Sequence, residues 1–318
     1  MGQASRPRRG SLQYWPRKRA KKILPSVNWR GISENNSGKK LQGFIGYKVG
    51  MKSAFVKDIT LDSMTKNKRV SIPVTIIECP PMKIFSARFY KNGQVISEVL
   101  AKNLDKELKR KVKMPKKNEK KLEDVKDYED IRIITYSTVK KTGIKKKPDM
   151  VEIALGGELQ SKLNFVKEKF DKEISVKEIF DNMQLIDIRG LTKGKGNQGA
   201  VKRYGIGLKG HKSEKGRRNP GSLGPWHPAR VTFRVPHAGQ LGMFTRVDYN
   251  HKIVNLGQIN ENNVNPKEGF KKFGLMKTDY VIVNGSLQGP SKRQLILTQP
   301  LRATKKQQKK NYEFIELR

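Results

Sequence analysis

The chain contains a single cysteine, Cys79, in 318 residues. That count excludes intramolecular disulfides and every zinc framework built on cysteine pairs. Cys79 closes the apolar run VSIPVTIIECPP, where a buried structural thiol is expected rather than a nucleophile. Acidic residues are scarce: 29 Asp and Glu stand against 68 Lys and Arg, a formal net charge of +39. Self-repulsion on that scale opposes a compact globule unless a polyanion neutralises it, which makes nucleic acid the first partner to consider. Long apolar runs are missing too, with no window of about 18 apolar residues, and no apolar signal segment follows the basic start MGQASRPRRGSLQYWPRKRA. Ser5 stands one place early for N-terminal acylation, and no cysteine lies near the C-terminus. Secretion, membrane spanning and lipid anchoring therefore fall away. Hydrophobic residues make up 35%, below the usual share of about 45–50%, so part of the chain is expected outside any core.

Residues 1–40 hold nine Lys or Arg before Asn35 and one acid, Glu34, with Pro7, Pro16 and Pro25 opposing helix. They read as an extended basic arm. Tyr14, Trp15 and Trp29 are interleaved with the charge, as in a segment that orders against nucleic acid by phosphate pairing and stacking. From Leu41, GFIGYKVGMKSAFVKDIT reads as strand, tight turn, strand. Apolar runs follow at RVSIPVTIIECPP, QLIDIRGL, HKIVNLGQI, DYVIVNGSLQG and RQLILTQP. Six short strands with glycine turns argue for a small β-barrel.

Residues 86–183 differ. Val99, Leu104, Leu108 and Val112 recur near helical spacing, as do Leu159, Leu163, Val166 and Phe170. Ser175 and Glu178 form a capping box, and IRIITYSTV reads as a strand. This is an α/β insertion holding most of the acids; its Lys run at 109–121 is solvated or RNA-facing. The expected fold is mainly β: a barrel body (41–85, 184–190 and 253–300), the inserted α/β subdomain, an N-terminal extension (1–40), a central loop (191–252) and a C-terminal tail (301–318).

The stretch from Arg189 to Gly257 has 14 Lys or Arg, two acids (Glu214 and Asp248), ten glycines between Gly190 and Gly224, and all four His. It lacks core periodicity and reads as a functional loop. Gly194, Gly196 and Gly199 satisfy G-x-G-x-x-G, but glycines at 205, 207 and 210 oppose the helix a dinucleotide site needs, and the acid about 20 residues on, Glu214, sits in a basic run. The glycines suit close approach to a phosphate backbone instead, with Lys193, Lys195, Lys202 and Arg203 as counter-charges. His211, His227, His237 and His251 are too far apart for a metal motif, and no serine or cysteine lies in a nucleophile elbow. No catalytic residue, metal, cofactor or small-molecule substrate is expected.

What remains is recognition of structured RNA: Arg and aromatic planes stack on bases, Lys neutralises phosphates, and glycine passes through narrow spaces. Pro225 and Pro228 flank Trp226 and His227 and would hold the indole at a fixed place. The RNA-binding set is Arg6, Arg8, Arg9, Trp15, Arg17, Lys18, Arg19, Lys21 and Lys22 in the arm. In and beside the loop it continues with Lys193, Lys195, Lys202, Arg203, Lys209, His211, Lys212, Lys215, Arg217, Arg218, Trp226, His227, Arg230, Arg234, Arg246, His251 and Lys252. Both segments are expected to be disordered without RNA.

The segments GFIGYKVGM, PVTIIECPP, RGLTKGKGNQGAVKRYGI and GSLGPWHPARVTFRVPHAGQLGMFTRVDYNHKI closely resemble the universal large-subunit ribosomal protein L-three family in its archaeal and eukaryotic form. The resemblance runs from the arm to about residue 300. It implies a structural, non-enzymatic component of the cytoplasmic large ribosomal subunit that binds large-subunit ribosomal RNA beside neighbouring ribosomal proteins and acts early in subunit assembly. It further implies that Trp226 tips a loop close to the peptidyl transferase centre. The position of the methylated His of eukaryotic relatives falls here on Glu214, and Gly224, Pro225 and Trp226 replace the methylated Gln region of bacterial ones, so neither modification is expected. Two rival classes are an RNA-modifying enzyme, which would need a positioned acid or cofactor fingerprint, and a DNA-compacting protein, which would not need one stiffened Trp-bearing loop.

Overall fold

A computed structural model describes residues 9–35, 41–115, 120–210 and 215–318. The expected β character is present: among the described residues the regular elements are mostly strands. The chain divides into two compact units, one formed by Lys22–Gly190 with Arg246–Arg318, the other by the N-terminal segment as far as Lys21 with Leu191–Thr245.

In the larger unit, helix α1 (Trp29–Asn35) precedes strands β1 (Gly43–Asp58) and β2 (Arg69–Glu78). A second group follows: β3 (Met82–Lys91), β4 (Gln94–Leu100), β5 (Asp130–Ser137), β6 (Met150–Ala154) and helix α2 (Leu159–Lys169). The chain enters β7 (Leu185–Leu191), passes through the smaller unit with β8 (Gly196–Gln198), helix α3 (Ala200–Tyr204) and β9 (Gly239–Leu241), and returns in β10 (Thr245–Gly257). Strands β11 (Tyr280–Asn284) and β12 (Gln294–Thr298), helix α4 (Lys305–Gln308) and β13 (Tyr312–Leu317) complete it.

The main sheet has the order β12-β7-β10-β11-β2-β1-β13, and β12 pairs a second time, with β1. The pairing thus returns to its starting strand through six strands, and these are the six apolar runs of the sequence. Where both faces are covered, as along Tyr280–Val283 of β11, the run is apolar without interruption. Ile77, Val281 and Val283 enter one apolar cluster, while Val74, Ile76, Tyr280 and Ile282 enter another, following the period-two alternation of strands.

Strand β1 is continuous, not two strands about a turn. Its first part pairs with β12 (Gly43↔Thr298 to Tyr47↔Gln294) and its last with β13 (Ala54↔Leu317 to Asp58↔Tyr312), while a register shift against β2 falls between Lys48 and Gly50. Gly43 and Gly46 serve close packing: a Cβ on Gly43 would come within 2.9 Å of the Trp29 indole, and one on Gly46 within 2.5 Å of Ile77. Trp29 is accordingly only 4% exposed and belongs to the core rather than to the stacking residues of the arm. It opens α1, whose Ile32 is also buried, so residues 29–35 are helical where extended chain is expected.

Strands β4-β3-β5-β6 form a second antiparallel sheet, beside which α2 buries Phe165 and Val166. One apolar cluster holds Phe89, Ile131 and Phe165 of this group together with Phe44, Ile77 and Leu295 of the main sheet. The helical spacing from Val99 to Val112 does not make a helix. Val99 lies in β4 opposite Ala87, and Leu108 sits in a 3₁₀ turn over Lys106–Arg110, so the spacing spans two different elements. The capping box is present, with the Ser175 N–H donating to Glu178 Oε1 at 3.1 Å.

Candidate nucleic-acid interface

The smaller unit is built on a two-stranded ribbon. Strands β8 and β9 pair Gly196↔Leu241, Asn197↔Gln240 and Gln198↔Gly239. Nearer β7 and β10, the Thr192 N–H donates to Phe244 O at 3.0 Å and the Lys195 N–H to Leu241 O at 2.9 Å. Gly242 has φ +78° and approaches the backbone of Lys193 so closely that a Cβ would collide with its carbonyl oxygen. Gly194, Gly196 and Gly199 therefore lie along a ribbon and not in a phosphate loop opening a long helix; α3 is a single turn, ended by Gly205 at φ +66°.

The N-terminal segment is held on this ribbon. The Ala20 N–H donates to Met243 O at 3.0 Å. Arg203 donates from Nε to Gln240 O and from Nη1 to His237 O, both at 3.0 Å, and from Nη2 to Arg17 O at 3.4 Å. The Arg17 guanidinium donates to Ser11 O at 2.9 Å and lies over the Tyr204 ring, 4.5 Å from its centroid. Trp15 packs against Phe233, with ring centroids 5.2 Å apart. Two of the arginines expected to meet RNA, Arg17 and Arg203, thus use their planar donors to organise the protein itself. Tyr204 and Phe233, absent from the sequence-based set, act with them; their only signal is an aromatic residue set among Lys, Arg and Gly.

Around this framework the charge is of one sign. In the sequence of this unit Glu214 is the only acid. Lys18, Arg19, Lys193, Lys195, Lys202, Lys215, Arg218, Arg230 and Arg234 are exposed, and no ion pair engages them among the described residues. Arg9 and Lys21 are exposed as well. The Lys209 N–H donates to Arg217 O at 3.1 Å and Arg217 Nε to Lys209 O at 3.2 Å. Residues 221–230 are exposed throughout, with the Trp226 indole at 88% and His227 beside it. Arg6, Arg8, His211 and Lys212 lie outside the described residues.

The remaining members of the expected set belong to the larger unit. Lys22 is exposed. Arg246 and His251 lie on β10, where the His251 Nδ1–H donates to Asn284 O at 2.9 Å. Lys252 is buried, which pulls its ammonium pKa below the ordinary lysine value, and its Nζ donates to Gln308 O at 2.9 Å and Gln307 O at 3.2 Å. Among the described residues no helix is long and apolar enough to cross a membrane.

A family-wide sequence profile described as Ribosomal protein L3 matches residues 1–318. The large ribosomal subunit protein uL3 of Methanocaldococcus jannaschii is 41% identical over 312 residues, covering 94% of this chain and 92% of that protein. The protein of the same name from Methanobrevibacter smithii is 43% identical over 317 residues, covering 94% and 93%. That from Archaeoglobus fulgidus is 41% identical over 315 residues, again covering 94% and 93%. With this agreement along nearly the whole length, the chain belongs to the ribosomal protein L3 family.

Proposed function

We infer that the chain is a structural, non-enzymatic constituent of the large ribosomal subunit and that its smaller unit is the part that enters ribosomal RNA. One observation carries the second clause: a unit whose only acid is Glu214 exposes Lys18, Arg19, Lys193, Lys195, Lys202, Lys215, Arg218, Arg230 and Arg234, with no ion pair to any of them among the described residues, on a ribbon whose backbone is bonded by Arg203. Lys18, Arg19, Lys193, Lys195, Lys202, Lys215, Arg218, Arg230 and Arg234 would meet phosphates, and Trp226 would meet a base or sugar face at the end of the 221–230 segment. Arg17 and Arg203 hold the framework instead. The larger unit is read as a six-stranded β-barrel body carrying an α/β subdomain, a reading favoured by the second pairing of β12 with β1. Early action in subunit assembly and a position of Trp226 close to the peptidyl transferase centre belong to the same proposal.

The test is binding of the full chain to large-subunit ribosomal RNA across a range of salt. With about ten phosphate contacts, log K should fall against log salt with a slope of roughly −7 to −9. A slope near −2 would sink the phosphate account.

A further inference from the structure

The turn joining β1 to β2 is built around one carboxylate. Asp58 Oδ1 accepts from the Thr60 N–H at 3.0 Å, and Oδ2 accepts from Ser63 Oγ and Thr65 Oγ1, both at 2.6 Å. The Asn67 N–H donates to Asp58 O at 2.7 Å and the Lys68 N–H to Thr65 O at 2.9 Å. At its base, the Ile59 N–H donates to Asn311 O and the Asn311 N–H to Thr60 Oγ1, each at 3.0 Å, which ties the turn to the start of β13. The neighbouring helix α4 is pinned by the buried Lys252 ammonium through the carbonyls of Gln307 and Gln308.

This fixed turn leaves its large apolar side chains in water: Met64 is 97% exposed and Leu61 77%. Neither contributes to holding the turn, which Asp58 and the hydroxyls accomplish. Leu61 and Tyr312 line a cleft of about 570 Å³ together with Lys306, Lys309 and Lys310. The three lysines are exposed, and no acid pairs with them among the described residues. The acids lining the cleft are Asp58, whose oxygens the turn already occupies, and Asp62.

We propose that this surface docks an acidic segment of a neighbouring protein, which packs an apolar side chain on Leu61 and Met64 and sets its carboxylates against Lys306, Lys309 and Lys310. Nucleic acid would account for the lysines alone. Leucine and methionine neither pair with phosphate nor offer a planar face to a base, whereas apolar anchors ringed by charge are what protein interfaces use. A turn already ordered loses little further entropy when it is covered, which favours binding. The surface involves none of the residues proposed to meet RNA. It takes from the ribosomal reading only the expectation that the partner is a large-subunit protein.

The test places benzoylphenylalanine at Met64 and, separately, at Lys309 of the full chain in cells. After irradiation the adducts are mapped in whichever sedimentation fraction holds the chain, so a failure of the ribosomal reading leaves the readout intact. The expected result is adducts from both positions on one protein, in a peptide carrying at least two Asp or Glu beside an apolar residue. The triple variant Lys306→Glu, Lys309→Glu, Lys310→Glu should lower the Met64 adduct by about tenfold. Adducts chiefly on RNA, adducts on a peptide without acids, the absence of any adduct, or indifference to the triple charge reversal would each overturn the proposal.

Discussion

The Arg17 guanidinium lies over the Tyr204 ring at 4.5 Å, while the adjacent Arg203 donates to the Arg17 carbonyl oxygen. Two segments far apart in sequence are thereby joined into one framework. A cation over an aromatic face contributes about 0.5–2 kcal/mol and a hydrogen bond from a charged donor about 1.5–3 kcal/mol, enough in combination to hold a short ribbon.

The free protein should accordingly show hydrogen-exchange protection at Ala20, Thr192 and Lys195, whose N–H groups are bonded within the unit, and little at 221–230. Such protection would count against the general disorder expected from charge and polarity. Arg203→Ala should remove the protection at Ala20 by at least tenfold, since it removes donors worth about 1.5–3 kcal/mol each. Protection that survives in Arg203→Ala would assign the framework to other contacts.

Tyr204 separates the ring from its hydroxyl. Its Oη is buried and has no hydrogen-bond partner among the described residues, so Tyr204→Phe should be neutral or stabilising by up to about 1 kcal/mol while keeping the Arg17 contact. Tyr204→Ala should expose residues 9–21 to limited proteolysis. Equal cleavage of the two variants would contradict the role of the ring.

Acid titration should distinguish two buried carboxylates. The hydroxyl of Ser63, then Thr60 and Thr65, hold the Asp58 carboxyl well below the ordinary range. Its contribution is present above the unfolded value of about 3.9 and is lost as pH falls through the lowered folded value. Asp58→Asn should therefore cost about 1–3 kcal/mol at neutral pH, with the gap closing in strong acid. Burial pushes Glu78 the other way; its Oε1 accepts from the Lys277 N–H at 2.8 Å, but Oε2 is buried with no partner among the described residues. Stability linked to Glu78 is present below its unfolded value of about 4.3 and is lost as pH rises through the raised folded value. Glu78→Gln should consequently match or exceed the wild type at pH 7, with the advantage shrinking on acidification. Urea midpoints across pH check both, and parallel pH profiles for the two variants would refute the assignment.

Trp226→Ala removes an indole that is 88% exposed and contributes little to folding. Subunits carrying it should assemble but differ in aminoacyl-tRNA binding or peptide-bond formation. Wild-type kinetics in purified variant ribosomes would contradict a functional position for this side chain.

The six strands of the main sheet were legible from their apolar runs, clearest in YVIV at 280–283, which is buried and continuously apolar. The length of β1 was not, because glycine signals a turn and a close packing contact with the same letter. Only the indole of Trp29, brought against Gly43 by the fold, distinguishes them. The basic composition of the smaller unit was evident from counting, whereas the division of labour within it was not. Arg17 and Arg203 differ from Lys193 or Arg230 through contacts with Tyr204, Gln240 and His237 that only the folded chain creates. Strand β13 also depends on the fold: YEFIEL pairs with the far end of β1, a partner that local sequence cannot indicate.

The most direct test of the account is ultraviolet cross-linking of the chain in living cells, with sequencing of the attached RNA and mapping of the peptides that carry it. The account predicts large-subunit ribosomal RNA on peptides from 9–21 and 191–245, with Trp226 among the modified residues. Cross-links dominated by messenger, transfer or chromosomal nucleic acid, or confined to peptides of the larger unit, would contradict it.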